Sequence, residues 1–303
     1  MVDDVGQIHG TPDEDLTVCI TFDFDAMSIW IANGAGRTEI SRGEFGPYAL
    51  PRILKVLEKH DVKATFFVPG HTALAYPDLI RRIDAEGHEL GPHGWCHEDS
   101  GSLSAPEERV VLTRALEALE KVAGIRAKGH RSSSHGFRVE LLLEFGFEYD
   151  SSCCGADYVP YYLRVGDEWP LSEPFVFGES CDIVEVPYLW VLDDFCFFEY
   201  KPGWSDRQAR PQSVREIWQA EFDFALRNEP GGVYDLTLHP QCIGHGSRLS
   251  MLEELLIYMK DTGKVRFETV GTYAARWREL NPLDAWLESG SVHVGAQARQ
   301  PIS

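Results

Sequence analysis

Short apolar segments alternate along this chain with longer segments whose apolar residues recur at helical spacing, and this alternation restricts the possible folds most strongly. Strict alternation of strands and helices implies a parallel sheet with helices packed outside it. Seven or eight such units in 303 residues favour a closed barrel over an open sheet. The sequence therefore predicts an α/β fold, an irregular (β/α)7–8 barrel. The predicted strands are 16–20, 64–68, 89–93, 127–131, 147–151, 183–190, 233–239 and 265–270, and the longer predicted helices are 50–60, 104–122, 214–226 and 248–259.

The alternating pattern defines the expected domain organisation. We expect residues 16–288 to form a single barrel, flanked by flexible tails at 1–15 and 289–303, where no periodic pattern occurs. Residues 153–181 interrupt the pattern and are rich in aromatic side chains. A long segment without regular structure inside a compact domain is usually a lid or a binding loop, so we expect an irregular loop there.

Charge and hydropathy exclude two classes of partner. The chain carries 48 acidic and 28 basic residues, a formal charge of −20, which argues against nucleic acid and against an anionic membrane surface. No apolar run approaches the roughly 20 residues that span a bilayer. The first residues lack the basic opening and apolar core of a secretory signal, and the seven cysteines show no regular spacing. We therefore expect a cytoplasmic protein with reduced thiols and no membrane partner.

Two aspartates stand at the end of the first predicted strand. Side chains alternate along a strand, so Asp23 and Asp25 face one side while Phe22 and Phe24 face the other. Neighbouring carboxylates at the end of a core strand repel each other unless a cation compensates them. A metal ion is one such cation. Alternatively, one aspartate caps a following helix and the other pairs with an arginine.

Two histidines follow the third predicted strand. His93 and His97 are four residues apart, and histidines at this spacing can supply two nitrogen ligands to one metal ion. Such a pair also occurs by chance on protein surfaces. Beside the two aspartates it predicts three protein ligands, with positions left for water and substrate, as a catalytic metal requires.

Two further polar residues are placed at strand ends. In the strand 233–239, alternation puts Thr237 and His239 on one face, and His239 ends the strand. Alone, this histidine would be interpreted as a core residue with a satisfied hydrogen bond. Arg131 ends another predicted strand, where its guanidinium could pair with the aspartate that does not bind the metal. The alternative is an arginine on a surface loop.

These motifs, in this order, resemble those of polysaccharide deacetylases of the NodB-homology type, a carbohydrate esterase family. The resemblance covers about residues 16–280 and implies an irregular barrel of about seven β/α units that hydrolyses amide or ester bonds with a divalent metal, commonly zinc. The motifs that carry it are Thr21-Phe22-Asp23-Phe24-Asp25, His93-Gly94-Trp95-Cys96-His97, the segment around Arg131, Asp150-Ser151-Ser152 and Leu238-His239-Pro240.

The resemblance also implies a role for each matching residue. The metal ligands, for a divalent ion such as Zn²⁺, would be Asp25, His93 and His97. The catalytic groups would be Asp23 as general base, Arg131 as its positioning partner and His239 as general acid.

Three positions depart from the usual family pattern. Phe24 separates two aspartates that are normally adjacent, and Ser133 stands where a proline normally follows the arginine. Thr237 occupies a position where a leucine commonly lines the acetyl pocket. Because Thr237 is polar, we take it as a substrate-binding candidate.

Two other segments resemble one branch of the family, which contains peptidoglycan deacetylase-like proteins, metal-independent allantoinases and cyclic-imide hydrolases. These segments are Arg42-Gly43-Glu44-Phe45-Gly46 and 190–195. They supply four more substrate-binding candidates: Glu44, Trp190, Asp193 and Asp194. The alternative is that the acids are solvated loop residues and that the tryptophan belongs to the core.

The first functional hypothesis is a cytoplasmic, metal-dependent hydrolase of carbon–nitrogen bonds other than peptide bonds, acting on a small amide or a cyclic imide. The missing secretion signal favours it, because a polymer outside the membrane would be out of reach. The alternative is a polysaccharide or peptidoglycan N-deacetylase, which would gain from a long open groove. A second alternative is a metal- or sugar-binding barrel without catalysis. Members of this branch often form homo-oligomers, so assembly into a homo-oligomer is also expected.

Overall fold

The structure is a computed structural model of the 303-residue chain, in which residues 15–134, 136–199 and 208–288 are described. The strands are β1 (Leu16–Asp23), β2 (Thr65–Val68), β3 (Glu89–Pro92), β4 (Gly129–His130), β5 (Tyr149–Asp150), β6 (Tyr161–Val165), β7 (Glu179–Glu185), β8 (Val233–Leu238) and β9 (Val265–Phe267). The helices are α1 (Ser28–Ala32), α2 (Arg37–Gly43), α3 (Phe45–Lys59), α4 (Gly70–Ala75), α5 (Pro77–Ala85), α6 (Ala105–Ala123), α7 (Val139–Phe145), α8 (Asp194–Phe198), α9 (Pro211–Asn228), α10 (Pro240–Ile243), α11 (Gly246–Asp261), α12 (Val270–Leu280) and α13 (Leu283–Glu288). Short 3₁₀ turns occur at Ser100–Ser102 and Trp190–Leu192.

The strands form two sheets that face one interior. The first has the order β3-β2-β1-β8, with β9 also pairing with β1, and all these pairs are parallel. The second has the order β4-β5-β7-β6, in which only β6 is antiparallel. The Arg131 amide donates to the Pro92 carbonyl at 3.4 Å on one side, and an isolated parallel bridge joins Asp193 and Thr237 on the other. This is the predicted irregular barrel, and few backbone bonds connect its two sheets.

Strand β1 lies at the centre of the first sheet, with an apolar outward face and an inward face that carries Thr17, Thr21 and Asp23. All eight of its residues are buried, as expected for a parallel strand covered on both sides. On its outward face the Phe22 ring stacks on Phe66 of β2, with ring centroids 4.7 Å apart. Helix α3 covers this face with Leu50, Ile53 and Leu54, which are fully buried and recur at helical spacing.

The segment 153–181 differs from its predicted form. It contains β6 and the start of β7, which pair antiparallel, so the expectation of an irregular loop was wrong for this part. Tyr161, Tyr162 and Leu163 of β6 are all buried, and a strand without exposed alternate positions lacks the period-two pattern that identifies strands in a sequence.

The expected flexible tails and the expected absence of a membrane-spanning helix can be compared with the described residues. The predicted tails at 1–15 and 289–303 lie outside the described residues, apart from Asp15, so the domain limits stay predictions. Among the helices of the described ranges, none combines the length and apolar character that crossing a bilayer requires.

Replacing Phe66 by Ala tests the central packing of the first sheet. The buried ring stacks on Phe22, so its loss leaves a cavity, and we expect the free energy of unfolding to fall by about 3–5 kcal/mol. The matched control is Phe224→Ala on α9, whose side chain is 45% exposed and which should cost less than about 1 kcal/mol. Urea unfolding measures both, and equal losses would contradict the proposed core.

Candidate active site

The polar side chains singled out in the sequence converge at one edge of the barrel. Asp23 is the last residue of β1, and Arg131 follows β4 directly. His93 and His239 likewise follow β3 and β8 directly. Because the carboxyl ends of parallel strands meet at the same rim, loops from both sheets bring these residues into one group.

Asp25, His93 and His97 form a group that could hold a metal ion. One ligand atom from each residue lies within 4.8 Å of the others. Oδ1 of Asp25 is 3.6 Å from Nε2 of His93 and 3.9 Å from Nε2 of His97. Two imidazole nitrogens and a carboxylate oxygen are a common donor set for zinc in catalytic sites.

The loop that carries the two histidines is shaped by its own sequence. Gly94 has a φ of +70° and His97 a φ of +57°, so the chain turns tightly instead of forming a helix. The carboxylate of Glu98 accepts the backbone N–H groups of Trp95 and Cys96, each at 2.9 Å. Glu98 was missed in the sequence, although an acid directly after the second histidine was a signal for such a turn.

Burial keeps the imidazoles of His93 and His97 in the neutral form that binds metals. Nδ1 of His93 donates to the backbone carbonyl of Arg131 at 3.0 Å, which leaves its Nε2 lone pair directed at Asp25. Burial lowers the pKa of His93 to about 4 and that of His97 to about 3. At neutral pH both rings are therefore uncharged, the form in which histidine binds metals.

The carboxylate of Asp25 provides a test of whether this group fits a metal. The side chain is fully buried, and neither of its oxygens has a hydrogen-bond partner among the described residues. Burial raises its pKa to about 8, because His239 only partly offsets the cost of a buried charge beside Asp23. A buried carboxylate without donors is compensated when a cation binds it, so the donor set and its surroundings fit a divalent metal.

Asp23 is held by a buried guanidinium. Nη1 of Arg131 donates to Oδ1 of Asp23 at 3.1 Å, and Nη2 donates to Oδ2 of Asp235 at 2.8 Å. Burial acts to raise the pKa of Asp23, but His93 and Arg131 outweigh it and hold the pKa below its usual value. Because His93 is uncharged at neutral pH, the charged groups that keep the pKa of Asp23 low are Arg131 and His239. Asp235 was not predicted as a site residue, because alternation placed it on this face without indicating a partner.

His239 is oriented by Asp194, the first residue of α8. Oδ1 of Asp194 accepts both the backbone N–H of His239, at 2.9 Å, and its Nδ1–H, at 2.8 Å. Nε2 then faces the group, 3.9 Å from Oδ2 of Asp23 and 3.8 Å from Oδ2 of Asp25. Burial acts to lower the pKa of His239, but Asp193 and Asp194 outweigh it and raise the pKa to about 10.

The five substrate-binding candidates occupy different places. Trp190 and Asp193 line the cavity described below, and Trp190 is 43% exposed. Asp193 also caps α8, because its Oδ1 accepts the Phe195 N–H at 2.7 Å. Asp194 is fully buried, does not line the cavity, and acts on His239 instead.

Glu44 and Thr237 lie away from the cavity. Glu44 forms an exposed ion pair with Arg37 at 3.0 Å. Thr237 is fully buried one layer below the rim, and its Oγ1 accepts a hydrogen bond from Thr21 at 3.3 Å. Neither side chain lines the cavity, so their positions do not support the substrate contacts expected from the sequence.

A cavity of about 1360 Å³ opens above the group. Asp23, His93, His97, Arg131 and His239 line its floor. It extends along the second sheet past Cys153 and Tyr161 to Arg164 and Trp169. Typical pockets for small ligands measure roughly 300–1,000 Å³, so this cavity can enclose more than one small ring.

Known proteins are similar to this chain along most of its length. Residues 11–142 match the family model described as polysaccharide deacetylase. A peptidoglycan deacetylase of Helicobacter pylori is 31% identical over 289 residues, covering 89% of this chain and 98% of that protein. A crystal structure described as a polysaccharide deacetylase from Mycobacterium smegmatis is 33% identical, has a TM-score of 0.78, and covers 90% of this chain and 94% of that one.

A crystal structure of an allantoinase shares the fold, with a TM-score of 0.76 and 21% identity over 92% of this chain and 96% of that one. The similarity to the Helicobacter pylori protein extends over nearly its whole length. With the parallel barrel and the motifs at its rim, these comparisons confirm the resemblance seen in the sequence. The chain belongs to the polysaccharide deacetylase family.

Proposed function

We propose that this protein is a metal-dependent N-deacetylase that removes acetyl groups from N-acetylated amino sugars in glycan chains of the peptidoglycan type. The single observation that carries the proposal is that a candidate base and a candidate acid both lie beside the candidate metal group in one cavity. Oδ2 of Asp23 is 3.7 Å from Nε2 of His93, and Nε2 of His239 is 3.8 Å from Oδ2 of Asp25. This arrangement supplies a base for the attacking water and an acid for the leaving amine of an amide hydrolysis.

The size of the cavity and the relatives both favour a glycan over a small cyclic imide. The cavity continues well beyond the catalytic group, to Arg164 and Trp169. The Helicobacter pylori relative is a peptidoglycan deacetylase, whereas similarity to the allantoinase is limited to the fold. The N-deacetylase hypothesis is thus better supported than the small-amide hypothesis that the sequence favoured.

Separate residues would bind the metal and accept the proton of the attacking water. Asp25, His93 and His97 would hold the metal, which polarises the carbonyl and lowers the pKa of water when bound. The carboxylate of Asp23 would accept the proton of the attacking water, because Arg131 keeps it ionised.

The leaving amine is poor unless it is protonated, and Nε2 of His239 faces the reacting group. Asp194 accepts the Nδ1–H of His239, which fixes the ring orientation and stabilises its protonated form. His239 would therefore donate a proton from Nε2 to the amine nitrogen as the carbon–nitrogen bond breaks.

A cytoplasmic location and assembly into a homo-oligomer remain part of the proposal. The acidic charge of −20 is compatible with a soluble oligosaccharide as substrate and not with binding to an anionic surface. If the protein is cytoplasmic, soluble N-acetylated oligosaccharides are the form of substrate that it can reach.

The substrate class is tested with purified protein and a panel of N-acetylglucosamine oligomers, peptidoglycan fragments and cyclic imides. We expect acetate release from the glycans alone, loss of activity after chelation, and recovery on addition of Zn²⁺. Hydrolysis of the imides without acetate release would restore the small-amide hypothesis.

Replacing Asp23 by Asn tests the base. The amide cannot accept the proton, so we expect kcat to fall by about 10²–10⁴-fold while the bound metal, measured by mass spectrometry, stays unchanged. The control is Asp99→Asn, which changes an exposed carboxylate at the same cavity and should leave kcat intact. If Asp23→Asn kept the same kcat as the active Asp99→Asn control, Asp23 would not be the base.

The pH profile tests the acid. Because the pKa of His239 is raised to about 10, the ring stays protonated below that pH, and kcat should fall only as the pH rises through it. Asp194→Asn removes a negative charge from the ring, so the alkaline limb should move to lower pH. Glu44→Gln, outside the cavity, serves as control, and an unmoved limb in Asp194→Asn would exclude this role.

A further inference from the structure

A row of polar side chains crosses the second sheet on the face opposite the catalytic group. His130 pairs in register with Asp150, Asp150 with Glu185, and Glu185 with Tyr161, so one side chain comes from each of β4, β5, β7 and β6. Register partners on neighbouring strands direct their side chains to the same face. Arg131, the residue after His130, faces the barrel interior, so the row faces outward.

The two central carboxylates of this row each have one oxygen held and one oxygen free. Oδ1 of Asp150 is 2.6 Å from Nδ1 of His130, and Oε1 of Glu185 accepts the N–H groups of Ser152 and Cys153 at 2.9 and 2.8 Å. The other two oxygens, Oδ2 of Asp150 and Oε2 of Glu185, are fully buried without a hydrogen-bond partner among the described residues. Hydrogen bonds therefore orient both side chains, and each keeps one buried oxygen without a partner.

A thiol completes the cluster. Sγ of Cys153 and one oxygen from each carboxylate lie within 4.8 Å of one another. Cys153 also lines the large cavity, whereas Asp150 and Glu185 lie behind it and do not. Water and small ions can thus reach the cluster past Cys153.

Two side-by-side buried carboxylates need either a shared proton or a cation between them. Two backbone N–H groups donate to Glu185 and act to lower its pKa, but burial and the neighbouring Asp150 outweigh them and raise the pKa well above its ordinary value, so the pair needs compensation. A shared proton involves only the two carboxylates, whereas the cluster also contains Sγ of Cys153, within 4.8 Å of an oxygen from each of them. Carboxylates that bind metals are themselves hydrogen-bonded by outer groups, as both are here.

We propose that Asp150, Cys153 and Glu185 form a second divalent-cation site, separate from the catalytic group and entered from the cavity. A thiolate combined with two carboxylates selects a borderline ion such as Zn²⁺ or Co²⁺ over Mg²⁺ or Ca²⁺, which prefer oxygen alone. Cys153 binds as the thiolate and releases one proton to solvent. The ion links β5 and β7 to the segment after β5, which forms a wall of the cavity.

The experiment loads metal-depleted full-length protein with Co²⁺. To separate the second site from the catalytic group, it uses a His93→Ala background, from which one catalytic ligand is missing. We expect this variant to retain one bound Co²⁺ and to show a sulfur-to-cobalt charge-transfer band in the near ultraviolet. Adding Cys153→Ser should abolish the band, and adding Glu185→Gln should release the ion.

The matched thiol control is Cys96→Ser, which changes the cysteine between the two catalytic histidines. The band should persist in it, and a band that disappears with Cys96 instead of Cys153 would overturn the proposal. Absence of both band and bound ion from the His93→Ala protein would also overturn it, in favour of a proton shared by Asp150 and Glu185. Neither result depends on deacetylase activity, so failure here leaves the proposed function untouched.

Discussion

The interior of this barrel depends on the hydrogen-bonded ion pairs that Arg131 forms across it. The guanidinium of Arg131 comes from the second sheet and bonds to Asp23 and Asp235 of the first, while its Nε and Nη2 donate to Ser151 of the second. Few backbone bonds join the two sheets, so this side chain connects them below the rim. Removing one partner from a buried ion pair typically costs about 3–5 kcal/mol, because the other charge stays uncompensated. The same contact that joins the sheets also keeps Asp23 ionised.

The interior at the rim and just below it contains more buried acids than bases. Among the described residues, the cations that face the group are Arg131 and His239, and the acids are Asp23, Asp25, Asp193, Asp194 and Asp235. Hydrogen bonds hold four of these acids, and Asp25 remains without a donor. The unpaired carboxylate oxygens of Asp25 lie where the two neutral imidazoles of His93 and His97 point. This explains why the residues that position the base and the acid also create a place for a cation.

Local pattern in the sequence was sufficient for the barrel and for the residues at its strand ends. The alternation of apolar segments predicted the strands, and position at a strand end brought Asp23, His93 and His239 to one rim. It failed for β6, whose buried tyrosines hide the alternation of a strand. It also gave no partner for Asp235, since the direction of a side chain from an inner layer depends on its packing. The substrate contacts of Glu44 and Thr237, which the family resemblance suggested, stay predictions, and neither side chain lines the cavity.

The sequence by itself determined which residues reach the rim, because strand period and strand ends are set by neighbours along the chain. Only the tertiary structure decided how those residues act on one another. Asp194 lies 45 positions before His239, and Asp235 lies 104 positions after Arg131. Such pairs meet because two sheets close around one interior. The way the two sheets enclose this interior sets the burial of each carboxylate and the donors around it. These two factors decide whether the carboxylate is ionised, paired with a donor or compensated by a bound cation.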